Sequence, residues 1–581
     1  DTLEVVTHKR GNDVKDTNAI TNAGAIIVFK RSNGVWTTYG TMIQGSDTAA
    51  GDTFGGVIDF DGTTIAASAI GNKLDSTGAN SVTGAGVVYL FTDSGTAFTQ
   101  EAKITPTGTN ARIANDRFGY SISIKDSLLI VGTPYHSYDD SGQNYVSSSG
   151  AAWIFTKSGT NWTQLDKISD FTQRRSTTDA FGSTSYVFSD TYLVVGAPGF
   201  SYDYNMRNYA KGAGAVYVFT RNGSAFTYMQ TLTPVGTNMR NASDAFGTEV
   251  AISGTTIVAS SPLCSFDSTG TATDGNTGLL FVFDFNGSQF VQTTVLDETG
   301  TNANVKGDNF GYSIAIDGDF IIASSIAHPY DATGANVMTG AGAAWIFYKD
   351  PTNGWVPASK IVPSGNNARN VGDNFGYDVD IDGTAMTAVV SSIIHTYDAA
   401  GLTSVASSGA AWTFSATDDA PTVWTQVHKL VPTGTEKTST DNFGTMASYN
   451  TAGYLAVSDQ STTDSWYENS IEGTGSVNIF KSSIQRTGVT LDGSSAYMDV
   501  SSVAKSITDT TWSISTWLKT TDIEISDITH KCLASVKHGS EIMRIYFSSS
   551  QELVITYGSV TIYANTSTAG IFNGEWHNII V

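Results

Sequence analysis

Cysteine and proline are both scarce in this chain, with 2 and 11 occurrences in 581 residues. Cys264 and Cys532 lie far apart in the sequence, so they form neither a disulfide framework nor a zinc knuckle or CxxC redox pair. Secretion is not excluded by this, because a large β-core does not need crosslinks. The sequence also has no run of about 18 apolar residues, and therefore no candidate transmembrane helix.

Positive charge is scarce as well. Lysine and arginine number 31 against 54 acidic residues, which gives a net charge of −23. Nucleic acids and anionic membranes are bound by basic patches, so neither is expected as a partner. The acidity favours solubility in a salty or calcium-rich exterior, and we expect an extracellular, cell-surface or virion-surface location. With 15% charged residues and 58 glycines, the composition is typical of a turn-rich, all-β protein.

The sequence does contain a repeated motif, Asp-x-Phe-Gly, which occurs seven times at a period of about 64 residues and indicates one structural unit stacked on copies of itself. We expect its phenylalanine to pack as a wedge between units, its glycine to allow close backbone approach and its aspartate to accept turn N–H groups. The phenylalanines are Phe54, Phe118, Phe181, Phe246, Phe310, Phe375 and Phe443.

Each unit has the pattern of four strands. Strand A follows Phe-Gly with alternating apolar residues, strand B is a Val/Ile/Ala run, strand C begins with Gly-Ala, and strand D has an aromatic residue six positions before an apolar one. Four antiparallel strands repeated around a ring predict a β-propeller. The sequence contains seven A, eight B, eight C and seven D strands. This favours eight blades, with seven as the alternative, and a chain that begins inside a blade.

These units resemble FG-GAP repeats, the blades of integrin-α-type propellers, over residues 1–481. Residues 195–198 match the Val-Gly-Ala-Pro element of such repeats. The resemblance implies calcium as a possible cofactor, but the calcium-binding insertion between strands A and B is absent here. Asp378, Asp380 and Asp382 mimic its spacing, yet they fall at alternate positions along strand A and would share one strand face rather than wrap an ion.

The long B–C and D–A loops should open on one face of the propeller, where a ring of polar residues could bind a glycan, a protein or a metal ion. The alternative is that each aspartate forms an Asx turn and so serves only its own loop. The candidate ligand-face residues are Asp75, Asp139, Asp203, Asp267, Asp331, Asp398, His136, His328, His395, Arg112, Arg240 and Arg369.

Five Asn-x-Ser/Thr sequences are possible N-glycosylation sites, although several arise by chance in a chain rich in serine and threonine. They begin at Asn161, Asn222, Asn241, Asn286 and Asn565.

The repeat stops near residue 481, and residues 482–486 are expected to be a linker. Residues 487–581 resemble a laminin-G or concanavalin A-like jelly-roll sandwich in three places. These are the Asp-Gly-x-x-x-Tyr pattern at residues 492–497, an alternating strand at 512–519, and Gly-x-Trp-His at 574–577. The resemblance stops before the closing strands, so we expect the sandwich to be incomplete and the chain to be part of a larger protein.

From these features we expect a non-catalytic adhesion or recognition protein that binds glycan or protein ligands and self-associates within an adhesin, fibre or filament. One alternative is a purely structural filament subunit. A glycan-active enzyme is the less favoured alternative, because no catalytic motif stands apart from the repeat and every prominent acidic residue is a repeated one. No catalytic residue is therefore predicted.

Overall fold

The computed structural model describes residues 43–431 almost continuously, and outside this range chiefly individual strands. The short gaps are at residues 62, 126, 170–174, 184–186, 189–190, 224, 274, 405–406 and 418–419. The chain divides into two compact units, Asp1–Ser482 and Ser483–Val581. Strands are the regular elements of both units, and the described residues include no helix long and apolar enough to cross a membrane. The prediction of an all-β protein is confirmed.

The first unit consists of eight antiparallel sheets that follow one another along the chain. We call them blades 1 to 8; blades 2 to 7 have four strands, and blades 1 and 8 have three. Blade 1 consists of β1 (Thr2–His8), β2 (Ala25–Ser32) and β3 (Val35–Thr38), and blade 2 of β4 (Phe54–Phe60), β5 (Thr64–Ala69), β6 (Val87–Asp93) and β7 (Phe98–Ile104). Blade 3 consists of β8 (Ile122–Lys125), β9 (Leu128–Thr133), β10 (Ala151–Ser158) and β11 (Asn161–Ile168). Blade 4 consists of β12 (Val187–Phe188), β13 (Tyr192–Ala197), β14 (Ala215–Asn222) and β15 (Ala225–Leu232).

The remaining blades repeat this arrangement. Blade 5 consists of β16 (Val250–Ser253), β17 (Thr256–Ser261), β18 (Leu279–Phe285) and β19 (Phe290–Leu296). Blade 6 consists of β20 (Ile314–Asp317), β21 (Phe320–Ser325), β22 (Ala343–Asp350) and β23 (Gly354–Ile361). Blade 7 consists of β24 (Val379–Asp382), β25 (Thr387–Ser392), β26 (Ala410–Thr417) and β27 (Ala420–Leu430), and blade 8 of β28 (Ala447–Tyr449), β29 (Tyr454–Asp459) and β30 (Ser476–Lys481).

These strands confirm the predicted counts within the described residues. Blade 1 lacks strand A and blade 8 ends with strand C, so the strands number seven A, eight B, eight C and seven D. Strand β1 of the first blade contacts both β4 and β30, so the first and last blades meet. The unit is a β-propeller of eight sheets, as the strand count favoured.

Burial along the strands follows their position in the blade. Strand B has both faces covered by neighbouring blades, and every residue of β9 and β13 is buried. Strand D lies at the sheet edge, and most residues of β11 keep some solvent exposure. The continuous Val/Ile/Ala runs and the more polar D strands of the sequence therefore correspond to inner and edge strands.

The motif phenylalanine packs between blades, as predicted. Phe181 is fully buried in one cluster with Ile130 and Ile154 of blade 3 and with Leu193 and Tyr217 of blade 4. The other six motif phenylalanines are 0–2% exposed. Several motif aspartates accept a turn N–H group, as also predicted: the N–H of residue 113 donates to Asp116 over 2.8 Å, and the equivalent bond is present at Asp244, Asp308 and Asp373.

A shift in the pairing of strands C and D recurs in blades 2 to 7. In blade 4, Val218 pairs with Gln230 but Phe219 pairs with Tyr228, so Met229 has no partner on strand C. The same shift of one residue precedes a phenylalanine of strand C in the other five blades, namely Phe91, Phe155, Phe283, Phe347 and Phe414. It bends each outer strand as a β-bulge does.

The second unit has six described strands in two sheets. One sheet pairs β31 with β36, and the other is the meander β32–β35. The bounds are β31 (Ser515–Lys519), β32 (Lys531–His538), β33 (Glu541–Phe547), β34 (Leu553–Tyr557), β35 (Val560–Ala564) and β36 (Trp576–Ile580). Strand β31 lies within the predicted alternating strand at 512–519, and β36 begins within the Gly-x-Trp-His segment at 574–577. The Asp-Gly-x-x-x-Tyr pattern lies outside the described residues.

Candidate functional site

The innermost strands of the propeller form the wall of its central opening. Strand A is the first strand of each blade, and consecutive A strands contact one another from blade to blade. Side chains at the beginning of these strands hold neighbouring blades together. The N–H of Val379 donates to Ser313 Oγ over 3.3 Å, and the N–H of Ala447 donates to Asp378 Oδ2 over 2.7 Å. The position three residues after the motif phenylalanine thus connects one blade to the next.

Glu249 occupies this position in blade 5 and differs from its counterparts. The residues at the position are Val57, Ser121, Thr184, Glu249, Ser313, Asp378 and Met446. Ser313 and Asp378 use their side chains to hold the next blade, whereas the carboxyl group of Glu249 accepts no hydrogen bond from any described residue. The side chain is half-buried. It is therefore a carboxyl group that the fold does not use, at the loop-side end of the central opening.

The surroundings of Glu249 favour its protonated form. Burial, followed by the nearby charge of Asp378, raises the pKa of Glu249 to about 8. Burial also raises the pKa of Asp378 to about 7, although the Ala447 N–H and Ser313 hydroxyl oppose this by hydrogen bonding to its carboxylate. Two carboxyl groups with raised pKa values can act as acid and base, since one can hold a proton near neutral pH while the other is ionised.

Two tyrosines complete the site. The ring centroids of Tyr312 and Tyr377 lie 5.9 Å apart, and Tyr312 is 36% exposed. Burial, the neighbouring Tyr377 and the charges of Glu249 and Asp378 all raise the pKa of Tyr312, so these groups act on one another electrostatically. We call Glu249, Tyr312, Tyr377 and Asp378 the channel cluster. It combines two proton-transfer groups with aromatic surface on which a ring can stack.

The channel cluster makes stability depend on pH in a defined direction. The pKa values of Glu249 and Asp378 are raised from 4.5 and 3.8, so the folded chain binds more protons than the unfolded chain and loses stability as pH rises through about 8. We expect the difference in melting temperature, Glu249→Gln minus the unchanged protein, to increase from about pH 5 to about pH 9, because glutamine stays neutral while Glu249 ionises. Differential scanning calorimetry of both proteins tests this; a constant difference across the range would contradict it.

The six predicted ligand-face aspartates each bind their own loop. In blade 6, Asp331 Oδ1 accepts the Thr333 and Ala335 N–H groups over 3.0 and 3.1 Å, and Oδ2 accepts the Asn336 amide. Asp75, Asp139, Asp203, Asp267 and Asp398 accept equivalent bonds. Hydrogen bonds from Thr77 and Asn80 hold the pKa of Asp75 well below its usual range. These contacts are those of the Asx-turn alternative.

Calcium is consequently expected to leave the propeller unchanged at these loops. Both carboxylate oxygens of Asp331 already accept hydrogen bonds from within the loop, and the same holds for Asp75 and Asp139. A ligand that binds the folded state would raise the melting temperature. We expect thermal melts of the EDTA-stripped and dialysed chain with and without excess calcium to coincide, and a calcium-dependent rise would show that the loops open to bind the ion.

The three predicted arginines hold loops together. Arg112 Nη2 donates to the carbonyl of Lys73 over 2.9 Å, Arg240 Nη1 to that of Asn208 over 2.8 Å and Arg369 Nη2 to that of Tyr330 over 3.1 Å. In each case the acceptor belongs to the B–C loop of the preceding blade. The guanidinium groups therefore bind backbone, which leaves their ligand-binding role without support from these contacts.

His136, His328 and His395 were predicted as candidate ligand-face residues, but the structure encloses all three. All three are 0% exposed, because the turn after strand B directs them under the loop. Each Nδ1 faces the motif aspartate of its own blade, at 3.0 Å from Asp116, 2.8 Å from Asp308 and 2.8 Å from Asp373. Each ring also packs edge-on against a buried tryptophan, and a lysine lies over that tryptophan.

Four glycosylation candidates lie within the described residues. Asn161, Asn222 and Asn286 are exposed, and Asn241 is half-buried. Asn565 lies outside the described residues. Among the acids that mimic a calcium loop, Asp378 belongs to the channel cluster, whereas Asp380 and Asp382 accept the N–H groups of Ile381 and Ala385.

The chain is similar to known proteins over part or most of its length. The FG-GAP repeat family model matches residues 98–155, which include the motif at Phe118. No curated protein matches the chain. Among similar solved structures is a protein described as a candidate 6-phosphogluconolactonase from Bacteroides fragilis, with 11% identity, coverage of 76% of this chain and 96% of that chain, and a TM-score of 0.38. The periplasmic gluconolactonase PpgL of Pseudomonas aeruginosa has 10% identity, coverage of 76% of this chain and 97% of that chain, and a TM-score of 0.37. Sqt1 from Chaetomium thermophilum has 10% identity, coverage of 83% of this chain and 96% of that chain, and a TM-score of 0.43.

These names correct the functional expectation drawn from the sequence. Two of the three structures are named as lactonases, which are enzymes. The expectation of a non-catalytic adhesion protein or filament subunit, and of a chain that is not an enzyme, is therefore withdrawn. At 10–11% identity, the similarity assigns neither lactonase activity nor its substrate to this chain.

Proposed function

We propose that the chain is an enzyme that performs acid–base chemistry on an uncharged polar substrate, of the saccharide class, at the channel cluster. The observation that carries this proposal is Glu249, whose carboxyl group accepts no hydrogen bond from the described residues and whose pKa is raised by the charge of a second carboxyl group, that of Asp378. Burial raises its pKa to about 8, so that it holds a proton at neutral pH and can donate it to a leaving group.

Asp378 has the complementary role. Its carboxylate is oriented by the Ser313 hydroxyl and the Ala447 N–H, and it titrates near pH 7. An ionised Asp378 keeps the proton on Glu249 and can activate water or stabilise positive charge that develops on the substrate. Paired carboxyl groups with these two states are the usual machinery of glycoside hydrolysis.

The substrate class follows from charge and shape. A chain of net charge −23 repels anionic substrates, which favours a neutral one. Tyr312 and Tyr377 offer aromatic surface and hydroxyl groups next to the carboxyl pair, a combination suited to the faces and hydroxyls of a sugar ring. We expect the saccharide to enter from the side of the B–C and D–A loops.

Location and the second unit belong to the same proposal. An extracellular or surface location is supported by the acidic composition and by the exposed Asn161, Asn222 and Asn286 sequences. We propose that residues 487–581 are part of a laminin-G-like or concanavalin A-like sandwich that binds a glycan or protein partner, on the basis of the Gly-x-Trp-His segment and the strand at 512–519. Self-association within a larger assembly remains a further proposal.

The test is a turnover assay of the full chain against neutral oligosaccharides, sugar lactones and sugar esters, with product analysis by chromatography. We expect turnover of at least one saccharide substrate, at a rate that falls above about pH 8 as Glu249 loses its proton. No turnover across the panel, or a rate that stays constant to about pH 10, would overturn the proposal.

A further inference from the structure

A second group of buried titratable side chains lies where blade 5 leads into blade 6, and it shares no residue with the channel cluster. Glu298 follows β19, Asp308 begins the motif of blade 6, and His328 follows β21. Their exposed fractions are 2%, 1% and 0%. Three groups that can carry charge are thus fully enclosed in one small volume.

The three side chains converge on a single point. His328 Nδ1 lies 2.8 Å from Asp308 Oδ2 and 3.4 Å from Glu298 Oε2. One nitrogen or oxygen from each residue lies within 4.8 Å of those of the other two. The carboxylates of Glu298 and Asp308 thus have oxygens within 4.8 Å of each other. Two enclosed carboxylates this close are stable only when a cation or additional protons lie between them.

Blade 7 shows that the fold does not require the second carboxylate. There His395 Nδ1 contacts Asp373 over 2.8 Å, as His328 contacts Asp308, but the position equivalent to Glu298 is a proline. Proline occupies that position in four of the six comparable units, Pro106, Pro234, Pro363 and Pro432, and the remaining unit has Asp170, which lies outside the described residues. Glu298 is thus an addition to a histidine–aspartate contact that exists without it.

We propose that Glu298, Asp308 and His328 bind one divalent ion of the first transition row, of the Zn²⁺ or Mn²⁺ type. One imidazole nitrogen with two carboxylate oxygens is a donor set that such ions accept. Calcium is disfavoured because it takes six to eight oxygen ligands and does not select an imidazole. The ion would replace the proton that His328 otherwise shares with the two carboxylates.

Further contacts support a built site. Glu298 Oε1 accepts the Ser325 hydroxyl over 2.5 Å and Oε2 accepts the Asn304 N–H over 2.8 Å, so the carboxylate is held in place. Asp308 Oδ1 and Asn304 Oδ1 are buried oxygens without a hydrogen-bond partner among the described residues. Asp308 is one of the three proposed ligands, and Asn304 is the residue whose N–H binds Glu298.

Lys360 contacts the other imidazole nitrogen. Its Nζ lies 2.8 Å from His328 Nε2, which leaves Nδ1 as the nitrogen that faces the two carboxylates.

The experiment is equilibrium dialysis of the EDTA-stripped full chain against Co²⁺ and Zn²⁺, with the visible absorption of Co²⁺ as a reporter of its coordination. We expect one tightly bound ion per chain and a loss of more than about 100-fold in affinity for Glu298→Gln. The matched control is His395→Gln, which alters the equivalent histidine of a blade with one carboxylate and should leave Co²⁺ binding unchanged.

A second variant keeps the test decisive if glutamine disturbs folding. Glu298→Pro introduces the residue that four sister units carry at this position. It should retain the melting temperature of the metal-free protein and lose the Co²⁺ spectrum. Absence of stoichiometric binding by the unchanged chain, or binding that survives both substitutions of Glu298, would overturn the proposal.

Discussion

Glu249→Gln is expected to lower the turnover of the chain by about 100-fold to 10,000-fold, the usual contribution of a positioned general acid. Glutamine has nearly the shape of protonated glutamate but no proton to transfer. The carboxyl group accepts no hydrogen bond from the described residues, so its replacement should not lower the melting temperature near neutral pH and should raise it, because the raised pKa of Glu249 makes the unchanged protein less stable there. Initial rates and thermal melts of the purified variant measure the two effects separately.

Two further variants make this prediction specific. Asp59→Asn is the matched control, because Asp59 is another half-buried acid of a strand A and its carboxylate already accepts the Ile124 N–H over 2.7 Å. It should keep full activity. Asp378→Asn removes a charge that raises the pKa of Glu249, so the alkaline fall in rate should move to lower pH. A Glu249→Gln protein that keeps more than about a tenth of the activity would exclude Glu249 as the proton donor.

Gly214→Ala is expected to destabilise the propeller by about 3 kcal/mol or more. Gly214 precedes β14 at a φ of 89°, where the chain passes the motif of blade 5, and an added Cβ would lie 2.0 Å from the Phe246 carbonyl oxygen. Alanine would have to adopt a left-handed conformation and also push two blades apart. Chemical denaturation of the variant gives the change in free energy of unfolding.

The control for this substitution is Gly223→Ala. Gly223 also has a positive φ, of 62°, but no atom lies within 4 Å of the added Cβ. It should cost only about 1 kcal/mol, the conformational part of the effect. If both substitutions lowered the free energy of unfolding equally, the close approach of Gly214 to Phe246 between blades 4 and 5 would not be a cause of the destabilisation.

The sequence allowed the fold to be predicted because each local pattern repeats. The Phe-Gly pair, the buried run of strand B and the glycine before strand C recur in nearly every unit, so an ambiguous strand in one unit is identified by its counterpart in the next. The Asx-turn alternative for Asp75 and its counterparts came from the tendency of aspartate to hydrogen-bond the backbone of its own loop. Residues that recur in every unit are chiefly those that each blade needs in order to fold.

The candidate site was missed for the same reason. Glu249 and Glu298 are single departures from the repeat, and a search for repeated residues passes over them. Comparison of the units position by position would have found both, Glu249 beside Ser313 and Glu298 in place of proline. The burial of His136 could not be predicted from the sequence either, because the direction of a side chain after strand B depends on a turn that the alternating pattern does not specify.

The shifted pairing in the outer strands has a consequence for how the molecule behaves in concentrated solution. Strand D is the edge strand of blades 2 to 7, and its outer N–H and C=O groups face away from its own sheet. A straight edge of this kind can recruit a strand from another molecule and begin a fibril. The one-residue irregularity interrupts the spacing of these groups midway along every such edge, so an approaching strand can match only half of it. Six outward-facing edges can thus be displayed by one chain without serving as templates for one another.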